Sequence, residues 1–90
     1  MKIVYDPAFI KTLKKINVRI RKSFKQAIIL FSKDPSNLQL DNHALRKKYE
    51  GYRSIDITAD YRAIYKEIHE GDETFAYFTQ LGTHEELYGV

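Results

Sequence analysis

The chain contains no cysteine, which excludes disulfides, thiolate metal centres and a cysteine nucleophile. It has no apolar run of membrane-spanning length, and Met1-Lys2-Ile3-Val4-Tyr5-Asp6 lacks the hydrophobic stretch of a secretory signal. The expectation is a soluble cytoplasmic protein with no membrane association. A P-loop, a GxGxxG, a GxSxG and an HExxH are also missing, and with them the chemistries those motifs carry. No repeat, linker or low-complexity stretch divides the chain. Its 90 residues, 43% of them hydrophobic, therefore predict one domain, 1–90, with a core of its own. A domain this small has a thin margin of stability, to which a bound partner would add.

Charge is scarce by sign rather than in total. Residues 1–33 hold nine Lys/Arg and one acid, Asp6, whereas residues 67–90 hold six acids and no Lys or Arg. The net charge of +3 conceals this segregation. A basic half attracts polyanions and an acidic end restricts where they dock, although a solvated helical surface has the same composition.

The periodicity changes once along the chain. Lys2–Tyr5 reads as a short strand, and Asp6-Pro7 as a helix cap followed by the first helical position. Phe9, Ile10, Leu13 and Ile16 then recur at helical spacing, with Lys11, Lys14 and Lys15 on the other side. A second helix is predicted from Val18 to Ser32, its apolar face made by Ile20, Phe24, Ala27, Ile28 and Phe31. Pro35 disfavours helical geometry in the residue before it and ends that helix. Beyond this hairpin the pattern is that of strands: 44–49, 52–58, 61–68 and 74–81, joined by turns at Gly51, Ala59-Asp60 and Glu70–Glu73. Consecutive strands with short turns predict an antiparallel meander. Thr83 with Glu86 three residues on predicts a capped helical turn at the end. The fold class is α+β: an N-terminal strand and a helical hairpin packed on a meander sheet, closed by a short helical turn.

Polar residues gather toward the C-terminal end of that sheet: His43, Asp60, Arg62, His84 and Tyr88. Histidine titrates near neutrality and so suits general acid–base work. Arginine stabilises developing anionic charge. Singly, each has a plainer use: Asp60 as a turn residue, Arg62 as an ion-pair partner, Tyr88 as a core ring, and His43 or His84 as an exposed side chain. His69, between Glu67 and Glu70, reads as solvated surface.

Together these residues resemble a known family. Gly51-Tyr52-Arg53 followed by Asp60-Tyr61-Arg62-Ala63-Ile64-Tyr65-Lys66 is similar to the central strands of the RelE/ParE toxin superfamily. Gly82-Thr83-His84-Glu85-Glu86-Leu87-Tyr88-Gly89 resembles the ending of its YafQ-type branch. The resemblance implies a RelE-like fold and a type II toxin that cuts mRNA in the ribosomal A site without metal or cofactor. It also implies a cognate antitoxin partner and a free toxin that is monomeric. By this resemblance His84 is the principal acid/base histidine, Tyr88 its aromatic partner, His43 an upstream catalytic histidine and Asp60 an acidic active-site position. Tyr61 follows where that branch has an aromatic residue. Two positions depart: Asp56 replaces a histidine and Gln80 an arginine, and Arg62 is placed to supply the missing charge. Lys11, Lys14, Lys15, Arg19, Arg21, Lys22, Lys25, Arg46, Lys47, Lys48 and Arg53, with Tyr61, are the expected contacts to RNA and the ribosome, the basic ones of the kind that fix position rather than sequence. Two other functions remain open here: a ParE-like gyrase poison, which needs no histidine pair, and a decayed toxin that only binds its antitoxin.

Overall fold

Asp6 ends one element and starts the next. Its carboxylate accepts the Ala8 N–H at 2.8 Å, and Pro7 occupies the first helical turn, where its missing N–H costs nothing. The computed structural model describes residues 1–89. Strand β1 (Lys2–Tyr5) leads into helices α1 (Pro7–Lys15) and α2 (Val18–Lys33). Asn17 caps α2 by accepting the Arg19 N–H at 2.7 Å. Arg21 then reaches back to the carbonyls of Leu13, Lys14 and Ile16 at 2.9–3.1 Å. A cation at the end of α1 satisfies carbonyls that have no helical partner, so the Arg21 guanidinium, expected on RNA, is committed within the hairpin.

The remaining strands are β2 (His43–Ala44), β3 (Tyr52–Asp56), β4 (Tyr61–Glu70) and β5 (Glu73–Thr83), followed by the short helix α3 (His84–Tyr88). β2 through β5 form the predicted antiparallel meander, and β1 adds to its far edge parallel to β5, giving the order β1-β5-β4-β3-β2. The strand expected over 44–49 shrinks to His43–Ala44. After it a 3-10 turn forms over Lys47–Tyr49, and Lys47 takes a φ of 57°, incompatible with extended pairing. Among the described residues no helix is long and apolar enough to cross a membrane.

The two faces of the sheet differ. Alternation turns Arg53, Ile55, Ala63 and Tyr65 toward the helices, and Tyr52, Ser54, Asp56, Arg62 and Lys66 the other way. A bulge opposite Ile64/Tyr65 breaks the alternation in β5, so that Phe78 and Leu81 both face the helices while Tyr77 and Gln80 face away. The helix-covered side is one continuous core of Phe9, Phe24, Phe31, Leu40, Ile55, Tyr65, Phe78 and neighbours. Phe78 lies at its centre, its ring 5.1–6.4 Å from those of Tyr5, Phe9, Phe24, Phe31 and Tyr65.

Candidate active site

α3 is held across the end of the uncovered face by its own sequence. The Thr83 hydroxyl accepts the Glu86 N–H at 3.1 Å while the Glu86 carboxylate accepts the Thr83 N–H at 2.8 Å, the predicted reciprocal cap. Gly82 allows the helix to fold back, since a Cβ there would meet Glu86 Oε1 at 3.2 Å and Leu87 Cδ2 at 3.4 Å. The His84 N–H donates to the Asp60 carbonyl at 3.1 Å, tying α3 to the β3–β4 turn. His84 and Tyr88, four residues apart, share one helix face, and their rings meet edge-on at 4.7 Å.

Opposite them, β2 supplies His43. Its Nδ1 lies 2.7 Å from the Asp41 carbonyl, and Asp41 adopts a left-handed conformation (φ 45°, ψ 47°). A carbonyl only accepts, so this contact places a proton on Nδ1, with the Asp41 carboxylate 3.8 Å away. His43, His84, Tyr88 and Arg62, with Asp41 and Leu45, line one open cleft of about 400 Å³.

Arg62 is partly buried, its side chain 19% exposed. Its Nη1 donates to the carbonyls of Thr58, Ala59 and Tyr61 at 3.0–3.2 Å, and its Nε stands 2.9 Å from Asp56 Oδ1. That oxygen is buried without a well-aligned donor, so the Arg62–Asp56 contact is a charge pairing rather than a directed hydrogen bond. Burial raises the Asp56 pKa, opposed by Arg62 and His43 and reinforced by Asp41. Asp56 therefore anchors the cleft's cation.

The structure thus gathers His43, Arg62, His84 and Tyr88 and leaves other expected residues elsewhere. Asp60 meets the cleft through its backbone carbonyl, and its carboxylate is exposed outside the lining. Tyr61 faces the helices and lines a separate groove with Thr12, Lys15, Ile16 and Leu81, because strand alternation opposes it to Arg62. Arg53 also turns to the helix side, where its Nε donates to Asn42 Oδ1 at 2.9 Å. Asn42 in turn donates to the Tyr65 hydroxyl at 2.8 Å, so Arg53 belongs to a structural network. Lys11, Lys14, Lys15, Arg19, Lys22 and Lys25 are exposed on the hairpin behind the sheet, while Arg46, Lys47 and Lys48 are exposed in the turn on the cleft side. One residue passed unnoticed in the sequence: Tyr49, whose hydroxyl lies 2.7 Å from Gln80 Oε1 and 3.1 Å from the Leu87 carbonyl, and whose ring meets Tyr88. Its only local signal is an aromatic residue two positions before Gly51. Among the described residues no group of three or more His, Asp or Glu converges as a metal site.

Known proteins resemble the chain over nearly its whole length. The family model for the bacterial toxin YafQ of type II toxin–antitoxin systems matches residues 1–89. The crystal structure of YafQ from Escherichia coli superposes with a TM-score of 0.76 at 26% identity, covering 98% of each chain. The E. coli DinJ–YafQ toxin–antitoxin complex gives 0.74 at 26% identity, over 98% of this chain and 97% of that one. The RelB–RelE antitoxin–toxin complex of Methanococcus jannaschii gives 0.66 at 26% identity, over 96% and 95%. No curated protein matches by sequence.

Proposed function

The chain belongs to the YafQ family of type II toxins, and from that premise we propose that it is an endoribonuclease that cuts mRNA in the ribosomal A site and is restrained by a protein antitoxin. The observation that carries this reading is the pair of imidazoles, His43 and His84, facing one cleft with the Arg62 cation between β2 and α3. Cleaving RNA by its own 2′-OH needs a base at that hydroxyl, an acid at the leaving 5′-oxygen and positive charge on the phosphorane. His43 in its neutral form suits the base, since its Nδ1–H is engaged by a carbonyl and Nε2 is then left to accept. His84 then protonates the leaving oxygen, Tyr88 orients His84, and Arg62 offers its remaining N–H groups to the phosphate. The bond formed is 2′-O to phosphorus, the bond broken is phosphorus to 5′-oxygen, and the upstream product keeps a 2′,3′-cyclic phosphate. Two imidazoles carry both protons, so the reaction as written calls on no metal.

The cleft is shallow and open, so it cannot orient a flexible RNA alone, and orientation is worth several orders of magnitude in rate. The ribosome supplies it in this reading, with the exposed lysines of the hairpin on ribosomal RNA phosphates. The antitoxin partner is inferred from relatives solved as toxin–antitoxin complexes. The test is to map 5′ ends of a reporter mRNA in a translating extract and on the same RNA free of ribosomes. Cleavage only of the translated message is expected. Equal cutting of both would rule out the A-site mechanism, and growth inhibition without any cutting would favour a gyrase-poison activity.

A further inference from the structure

Beyond the cleft, the uncovered face of the sheet carries a row of rings. From Tyr88 the row passes to Tyr49, with centroids 5.9 Å apart and planes at 87°, and from Tyr49 to Tyr52 at 6.3 Å and 79°. These three rings are only half-buried. Both contacts are edge-to-face rather than stacked, so each takes up a face of one ring of the pair and not of the other. Tyr49 is pinned through its hydroxyl by Gln80 and Leu87, and Tyr52 by its place in β3 opposite Lys66. Among the described residues the Tyr52 hydroxyl makes no hydrogen bond, so polar anchoring does not account for a half-exposed ring there.

Ammonium groups lie over two of the rings. Lys48 Nζ lies 5.2 Å from the Tyr49 centroid and Lys66 Nζ 5.8 Å from that of Tyr52. Arg46 and Lys47 are exposed in the same turn, with Glu50 the one acid beside them. Aromatic faces interleaved with ammonium groups hold a single nucleic-acid strand without reading its sequence: bases stack on the rings and phosphates pair with the cations. We infer that Tyr49 and Tyr52, with Lys48 and Lys66, form a stacking subsite for bases of single-stranded RNA next to the phosphate held between His43 and His84. This rests on the nuclease reading above and extends it along the strand. The charge favours a polyanion over a protein segment, and Tyr88 makes the row continuous with the cleft.

The chain has no tryptophan, so tyrosines report its ultraviolet fluorescence, and their ring protons are resolvable by NMR. The test titrates the intact protein with a short all-2′-deoxy oligonucleotide, which binds but lacks the 2′-OH needed for cleavage. The rings of Tyr49, Tyr52 and Tyr88 shift and saturate together. Tyr52→Leu weakens binding roughly 5- to 100-fold while Tyr52→Phe retains it. Lys66→Gln lowers the slope of log affinity against log salt by about 0.7, and His69→Ala, at the distant β4–β5 turn, changes nothing. Should Tyr52→Leu fail to fold, the wild-type ring shifts and Lys66→Gln carry the test. Wild-type affinity in a folded Tyr52→Leu, or in Lys66→Gln an unchanged salt slope, overturns the subsite. Ring shifts produced by an antitoxin peptide but not by the oligonucleotide overturn it as well, in favour of a protein-docking face. Ring shifts by the oligonucleotide in a protein that cuts no mRNA on ribosomes support the subsite and refute the nuclease reading alone.

Discussion

The two faces of one sheet use aromatic residues in opposite ways. Behind the sheet, Phe9, Phe24, Phe31, Tyr65 and Phe78 are almost wholly buried in one cluster. In front, Tyr49, Tyr52 and Tyr88 keep part of each ring in solvent, with lysines beside two of them. The rear rings supply hydrophobic burial and dispersion; the front rings supply surfaces another molecule can occupy. The rear holds most of the core, although Ser54 and Ile64 are fully buried in front as well, and substitutions on the two sides should fail in different ways.

The largest effect is expected at Phe78→Ala, which empties the centre of the rear core. A destabilisation of about 3–5 kcal/mol follows from comparable truncations, a large share of what a domain this small possesses. Urea denaturation measures it, and a loss under 1 kcal/mol would mean that the rear face is not the stabilising one. Next comes His84→Ala, on the front. Single-turnover cleavage on programmed ribosomes should fall ~10²–10⁴-fold with little change in melting temperature, because the side chain is exposed. If His84→Ala cleaves at the wild-type rate, the assignment of roles in the cleft is wrong.

Asp56→Asn sharpens the comparison at the one place where the front face buries a charge. Burial raises the Asp56 pKa despite the Arg62 beside it. A carboxylate so shifted stabilises the fold only below its unfolded pKa, and that contribution is lost as pH rises through the folded one. At neutral pH the amide should therefore leave stability within about 1 kcal/mol of wild type, while cleavage slows as Arg62 loses its anchor. A large stability loss would make the pair structural. The smallest effect concerns Tyr77, whose hydroxyl donates to Asp6 at 2.6 Å across the β1 edge. That bond lowers the Asp6 pKa and raises that of Tyr77. Its stabilisation is present above the unfolded Asp value and lost as pH falls through the folded one. On the alkaline side it is lost as pH rises through the raised Tyr77 value. Tyr77→Phe should flatten both flanks of the melting-temperature profile, and an unaltered profile would show that the bond contributes nothing.

What the sequence disclosed follows from the range of the forces involved. Asp6-Pro7 and Thr83 with Glu86 were legible because a cap is made within a few residues of itself. The helix faces and strand alternation were legible because burial imposes a period. The 47–49 segment reads as strand in sequence, but its turn is held from outside, by Gln80 and Leu87 on Tyr49, more than 30 residues away. Arg21 and Arg53 look like any basic surface residue until the carbonyls and the amide they serve are located. The histidines of the cleft stand out in sequence as titratable residues near the end of the sheet, and resemblance gives them roles; their convergence on one cleft needs coordinates. Asp56 stood out only as a departure, and its pairing with Arg62 follows from the β3–β4 register that places the two opposite each other.

The pairing of β1 with β5 also has a kinetic side. It joins residues such as Lys2 and Glu73, separated by 71 positions, and closing so long a loop costs entropy before any contact repays it. Folds rich in such distant pairings assemble slowly. During synthesis β1 waits beside an unfinished partner, and the apolar side of the hairpin stays uncovered until Phe78 and Leu81 arrive with β5. The wall bearing His84 and Tyr88 comes later still. A nascent chain stopped short of Glu73 thus lacks both its sheet edge and one side of its cleft. Such a fragment should be a target for chaperones and proteases rather than a smaller working domain.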